Sequence, residues 1–129
     1  MEKKLLIIDD DLGYITLVQK HLKREGFSVH IADSNDKINN YLELNLPDVI
    51  LIDVLMNNNL GFEFLRMLKQ EIKSVPLIVI SKGKDINNIE KAFKNGAFDY
   101  LIKPFNLKDL YNKIMYSLES KLSEKTRHV

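Results

Sequence analysis

No cysteine occurs in the 129 residues, which excludes disulfides, thiolate zinc sites and cysteine nucleophiles at once. Neither sign of charge dominates. Nineteen Lys and Arg stand against 18 Asp and Glu, a formal +1, so no global field marks a nucleic-acid binder. Long apolar runs are missing too: those present are strand length, far short of a membrane span, and the N-terminus carries no signal-peptide core. The expectation is a soluble cytoplasmic protein that binds neither a membrane nor nucleic acid directly. Also absent are the glycine loops G-x-x-x-x-G-K-[ST] and G-x-G-x-x-G and the EF-hand spacing, and His21, His30 and His128 are too scattered to form a metal site. What remains is ordinary globular composition, 45% hydrophobic and 29% charged. At roughly 150 residues per domain, the chain has room for one. It is long enough to bury about two-thirds of its unfolded surface without staples.

Short apolar runs punctuate the chain at 5–8, 49–52, 77–80 and 100–102, with a weaker alternating one at 28–32. They are rich in Ile, Val and Leu and continuous, as expected of strands buried on both faces. Helical periods lie between them. Tyr14, Leu17, Val18, His21 and Leu22 form one stripe, stopped by Gly26. Ile38, Tyr41 and Leu42 mark a second helix, closed by Asn45 and Pro47, and Phe62, Leu65 and Leu68 a third. A fourth runs from a cap at Asp85 through Ile86, Ile89 and Phe93 to Gly96. The fifth carries Leu107, Leu110, Tyr111, Ile114 and Leu118 on one face, with Asn106 and Asp109 as a capping pair. Strand and helix alternating in this way predict an α/β doubly wound parallel sheet with helices on both faces. The domain is expected over 1–122, with 123–129 a polar tail or the start of a linker.

In such a sheet, ligands bind beyond the carboxyl ends of the strands. There the first strand ends in Asp9-Asp10-Asp11, the third in Asp53, the fourth in Ser81 and the fifth in Lys103-Pro104. Asp11 directly precedes a helix and reads as its cap. Asp9, Asp10 and Asp53 read differently, because clustered carboxylates repel unless a cation neutralises them. Hard oxygen ligands with open positions suit Mg2+. Lys103 is placed to reach a carboxylate or phosphoryl oxygen. Ser81 is either a strand terminator or a phosphoryl contact. With no general base in the set, the chemistry that fits is phosphoryl transfer onto a carboxylate, which can attack without one. Asp53 is the best nucleophile, standing alone at the end of a central strand.

The segments LLIIDDD, VILIDVLM, LIVIS and GAFDYLIKPF resemble, in order and spacing, the receiver domain of two-component response regulators. The resemblance covers about residues 4–122. It implies a flavodoxin-like five-stranded sheet of order 2-1-3-4-5. It implies that Asp53 accepts a phosphoryl group from a phosphohistidine on a sensor histidine kinase or histidine phosphotransfer protein. It implies Mg2+ held by Asp10, Asp53 and the Leu55 backbone carbonyl, with Asp9 acting through water. Ser81 and Lys103 would contact the phosphoryl oxygens, and Tyr100 would turn inward as Ser81 is drawn to them. The Lys103–Pro104 bond is expected to be cis. Three positions depart from the family pattern: Asn57 where proline is usual, Leu60 where an acid is common, and Lys82 where a small residue follows the hydroxyl.

If the first-helix stripe faces the sheet, Leu12 and Ile15 fall toward solvent beside the acid edge. With Pro104 they are the expected docking residues for the phosphodonor. The face formed by the fourth helix, fifth strand and fifth helix is the expected output surface, suited to a homodimer or another partner. The competing reading is a receiver-like interaction module that works without phosphate, consistent with Leu60 and Lys82. A haloacid-dehalogenase type phosphatase would need a second Asp where Leu55 stands, and a flavodoxin-like electron carrier would need a phosphate loop after the first strand.

Overall fold

The computed structural model describes residues 2–56 and 61–127, with side chains through Lys121. The elements alternate as β1 (Lys4–Ile8), α1 (Leu12–Arg24), β2 (Ser28–Ala32), α2 (Asn35–Leu44), β3 (Val49–Asp53), α3 (Gly61–Glu71), β4 (Leu77–Lys82), α4 (Ile86–Lys94), β5 (Asp99–Lys103) and α5 (Leu107–Arg127). The five strands form one parallel sheet of order β2-β1-β3-β4-β5, as expected. Asn57 and Leu60 lie outside the described residues.

Period-two alternation divides each apolar strand between two cores. Leu6, Ile8, Ile50, Ile52, Leu77, Val79 and Tyr100 join Ile38 of α2, Phe62, Leu65 and Leu68 of α3, and Ala92 of α4. Leu5, Ile7, Val49, Leu51, Ile78, Ile80 and Leu101 join Ile15, Val18 and Leu22 of α1 and Leu110 and Ile114 of α5. Helices therefore cover both faces, with α1 and α5 on one and α2, α3 and α4 on the other.

Helix boundaries follow local chemistry. The Ser34 hydroxyl accepts the Lys37 N–H, the Asp85 carboxylate those of Asn87 and Asn88, and the Asn106 amide oxygen those of Lys108 and Asp109. Gly96, at φ +102°, ends α4 in a left-handed conformation that disfavours side chains. Asp11 departs from its expected role. It occupies the N-cap position of α1, but its carboxylate caps nothing; instead its N–H donates to Asp9 Oδ1 at 2.9 Å. The helix α5 continues to Arg127.

The face of α1 corrects a second expectation. Ile15, Val18 and Leu22 are the buried residues, Ile15 at 0% exposure, whereas Leu17 is 67% exposed and Tyr14 and His21 are half-buried. Two overlapping stripes satisfy the helical period. The fully hydrocarbon one is buried because Tyr14 and His21 carry polar atoms that need partners or water. On α4 two of the three expected apolar residues point outward, Ile86 at 65% and Phe93 at 46% exposure; Ile89 is half-buried against the core and Ala92 is the buried residue.

Gly61 fixes α3 against the end of β3. A Cβ there would fall inside contact distance of the Asp53 carbonyl oxygen and Val54 Cα, and 2.6 Å from Val54 C. Backbone atoms cannot rotate away as a side chain can. Gly61→Ala is therefore expected to destabilise the fold by about 2 kcal/mol or more, read as a lowered urea midpoint. An unchanged midpoint would contradict the tight approach.

Candidate functional site

The alternation that builds the cores also places the polar residues at the carboxyl ends of the strands. Leu5 and Ile7 lead to Asp9 on the face covered by α1 and α5. Val49 and Leu51 lead to Asp53, Ile78 and Ile80 to Lys82, and Leu101 to Lys103 on that same face. Ser81 and Tyr100 follow the opposite series, with Val79 and Ile52. Lys82 pairs in register with Lys103 across β4 and β5.

Lys103 reaches back over the edge. Its ammonium lies 2.7 Å from Asp9 Oδ2 and 3.0 Å from Asp53 Oδ2, and all three residues are buried. Asp53 Oδ1 accepts the N–H of Leu55 at 2.9 Å. Asp10 is exposed, yet carboxylate oxygens of Asp9, Asp10 and Asp53 all lie within 4.8 Å of one another. The acids therefore outnumber the Lys103 charge at one point. This set of hard oxygen donors, three carboxylates gathered around one ammonium, fits Mg2+. Asp9, Asp10 and Asp53 are the side chains that would hold it.

The electrostatics agree with that shortage of positive charge. Burial pushes the Asp9 carboxyl above the usual carboxylate range. The Asp53 charge adds to the rise, and the Lys103 ammonium and Asp11 N–H work against it. Burial works to lower the Lys103 pKa, but the bonds to Asp9 and Asp53 outweigh it and hold the ammonium above its ordinary value. A raised acid favours the fold most fully below its unfolded pKa, and that contribution fades as pH rises through the folded value. Mg2+ competes with the same proton. The stabilisation conferred by Mg2+, measured as a shift in Tm, is therefore expected to be largest near neutral pH. It should shrink on acidification at a higher pH than ordinary carboxylates require. A shift independent of pH down to the ordinary carboxylate range would contradict Asp9's part in it.

Ser81 is fully buried, and its hydroxyl donates to the Lys82 carbonyl only at a long 3.4 Å. Tyr100 is buried with its hydroxyl unpartnered. The Lys103–Pro104 peptide is cis, as expected. Of the expected docking residues, Leu12 is 44% exposed and Pro104 is exposed, but Ile15 lies in the core beneath α1. Ile15 is therefore corrected from surface to core, for the reason given above for that helix.

One residue of the site is not visible as such in the sequence. The Tyr14 ring lies 5.6 Å from Lys103 Nζ, and its hydroxyl accepts the N–H of Phe105 at 3.3 Å. Tyr14, Asp11, Lys82, Lys103 and Pro104 line a shallow cavity of about 340 Å3 that opens beside the acids. Its nearness to an acid run was the available signal, but the helical period assigns it to the core stripe.

The sequence model of the family described as "Response regulator receiver domain" matches residues 5–115. The heme response regulator HssR of Staphylococcus saprophyticus is 33% identical over 84% of this chain and 48% of its own length. The transcriptional regulatory protein KdpE of Staphylococcus aureus is 33% identical over 88% of the chain and 49% of its own. The chain thus spans about half the length of these curated relatives. Among solved structures, a receiver domain protein from Clostridium thermocellum is 30% identical at a TM-score of 0.83, with 92% of this chain and 96% of that one covered. A CheY-like receiver domain protein from Methanospirillum hungatei is 26% identical at a TM-score of 0.88, with 96% and 99% covered.

Proposed function

Because this chain belongs to the response regulator receiver family, we propose that it serves two-component phosphorelay signalling by accepting a phosphoryl group on Asp53. The observation that carries this reading is the Asp53 carboxylate itself. It is nearly buried at a strand end, clustered with two further acids and bridged by the Lys103 ammonium. The donor is a phosphohistidine of a sensor histidine kinase or a histidine phosphotransfer protein. A carboxylate oxygen of Asp53 forms the new phosphorus–oxygen bond as the phosphorus–nitrogen bond breaks. The electron pair leaves on the imidazole nitrogen, which takes a proton from solvent.

Asp10, Asp53 and the Leu55 carbonyl would hold Mg2+, with Asp9 acting through water, and the ion would supply neutralising charge for the incoming group. Lys103 sits 3.0 Å from Asp53 Oδ2, close enough to transfer its ammonium to a phosphoryl oxygen. Ser81 gives up little by turning to another such oxygen, since its present bond is long. Tyr100 shares the sheet face of Ser81, and its buried, unpaired hydroxyl marks a position held at some cost, which suits a two-state switch. The readout surface is α4, β5 and α5, where the exposed Ile86 and Phe93 offer apolar area to a second copy or another partner. Leu12 and Pro104 are placed to meet the donor. The domain belongs to a regulatory family and acts only on its own phosphorylation state; neither membrane nor nucleic acid is its direct partner. No helix among the described residues is long and apolar enough to cross a membrane. The test is incorporation of phosphate from a small acyl phosphate. It is expected with Mg2+ and lost when a chelator removes the metal.

A further inference from the structure

Asp9 and Asp53 hold the Lys103 ammonium from the carboxylate side, and the lysine side chain is only 4% exposed. Something must close its outer side. The Tyr14 ring lies there, 5.6 Å from Nζ, within the range over which a ring face attracts a cation. The same side chain makes two further contacts. Its hydroxyl accepts the Phe105 N–H at 3.3 Å, and its ring meets that of Phe105 edge to face at 5.5 Å. Phe105 lies just beyond Lys103 and Pro104, and Tyr14 lies in the first turn of α1, just beyond the acid run. One side chain therefore ties the helix that starts beside the acids to the strand end that carries the lysine. The sheet does not make this link, because β3 and β4 stand between β1 and β5.

Resting on the reading of Asp53 as phosphoacceptor, we propose that Tyr14 is a positioning residue whose ring keeps Lys103 aimed at Asp53 by covering its ammonium, while its hydroxyl separately holds the loop at Phe105. The choice of a ring has a chemical reason. Lys103 must pass from Asp53 to the phosphoryl oxygens, and a π face attracts the cation without fixing its direction. A third carboxylate would hold it back.

Two variants separate the parts. Tyr14→Phe keeps the ring and removes the hydroxyl. It should speed hydrogen exchange of the Phe105 amide by about tenfold, while leaving the Lys103 ammonium protons protected and the rate of phosphate incorporation within about twofold of wild type. Tyr14→Leu removes the ring. It should speed proton exchange of the Lys103 ammonium by about tenfold and lower the saturating rate of incorporation from a small acyl phosphate about five- to tenfold, with less change in the half-saturating donor concentration. If the Leu variant does not fold, Tyr14→Met replaces it. A ring-less variant with wild-type rate and wild-type lysine protection overturns the proposal, as does an equal loss of rate in the Phe variant. Failure of the wild-type protein to take up phosphate overturns the reading of Asp53 instead; the exchange rates of Lys103 and Phe105 then still decide the role of Tyr14.

Discussion

Asp53→Asn is expected to reduce phosphate incorporation from any donor to background while the protein stays folded. The amide keeps an acceptor for the Leu55 N–H, which Asp53 Oδ1 receives at 2.9 Å, and nearly the same shape. It removes the nucleophilic charge. Nothing else at the edge is placed to replace it: Asp9 is fully buried and ion-paired with Lys103, and Asp10 is exposed. The substitution also relieves repulsion among three carboxylates whose oxygens lie within 4.8 Å of one another. Stability in Mg2+-free buffer should therefore hold or rise, and the added stabilisation from Mg2+ should fall. A variant that still took up phosphate at the wild-type rate would move the acceptor elsewhere.

Lys103→Met should cost both stability and rate. Methionine fills similar space but leaves Asp9 and Asp53 buried without their shared counter-charge. Breaking a buried ion pair by removing one partner costs about 3–5 kcal/mol, because the orphaned charge stays buried. Without metal, the variant should unfold at markedly lower urea, and Mg2+ should restore part of the loss. The rate of phosphate uptake should fall about a hundredfold, the usual effect of deleting one preorganised donor to developing oxygen charge. In the wild-type protein the pKa of Lys103 is raised, so its contribution to stability is complete below the ordinary lysine range. It is lost as pH climbs through the folded value. A Met variant as stable as wild type without metal would mean that the bridge neutralises nothing.

Four strands were legible as continuous apolar runs, and a run buried on both faces has little freedom to be anything else; β2, half exposed, showed only as a weaker alternating run. The site was legible for a related reason. Strand ends are where buried runs give way to polar residues, and parallel topology gathers those ends at one edge, so the meeting of Asp9, Asp10, Asp53 and Lys103 could be read ahead. Legibility stopped where two readings satisfied the same local pattern. On α1, two stripes share Val18 and Leu22, and only the polar atoms of Tyr14 and His21 decide which one turns inward. Asp11 has a cap's position, yet the competing acceptor Asp9 Oδ1 takes its N–H and its carboxylate caps nothing. Ile86 and Phe93 have helical spacing, but α4 buries Ala92 instead. The role of Tyr14 was invisible because its partner Phe105 is 91 residues away, and no local period reports a contact of that range.

The central claim is tested most directly by incubating the wild-type chain with Mg2+ and a radiolabelled small acyl phosphate, then mapping the label by peptide. The account predicts label on the peptide containing Asp53, with the lability to base and hydroxylamine of an acyl phosphate. It also predicts that omitting Mg2+ abolishes the label. Label on another residue, or none at any Mg2+ concentration in a folded protein, would contradict it.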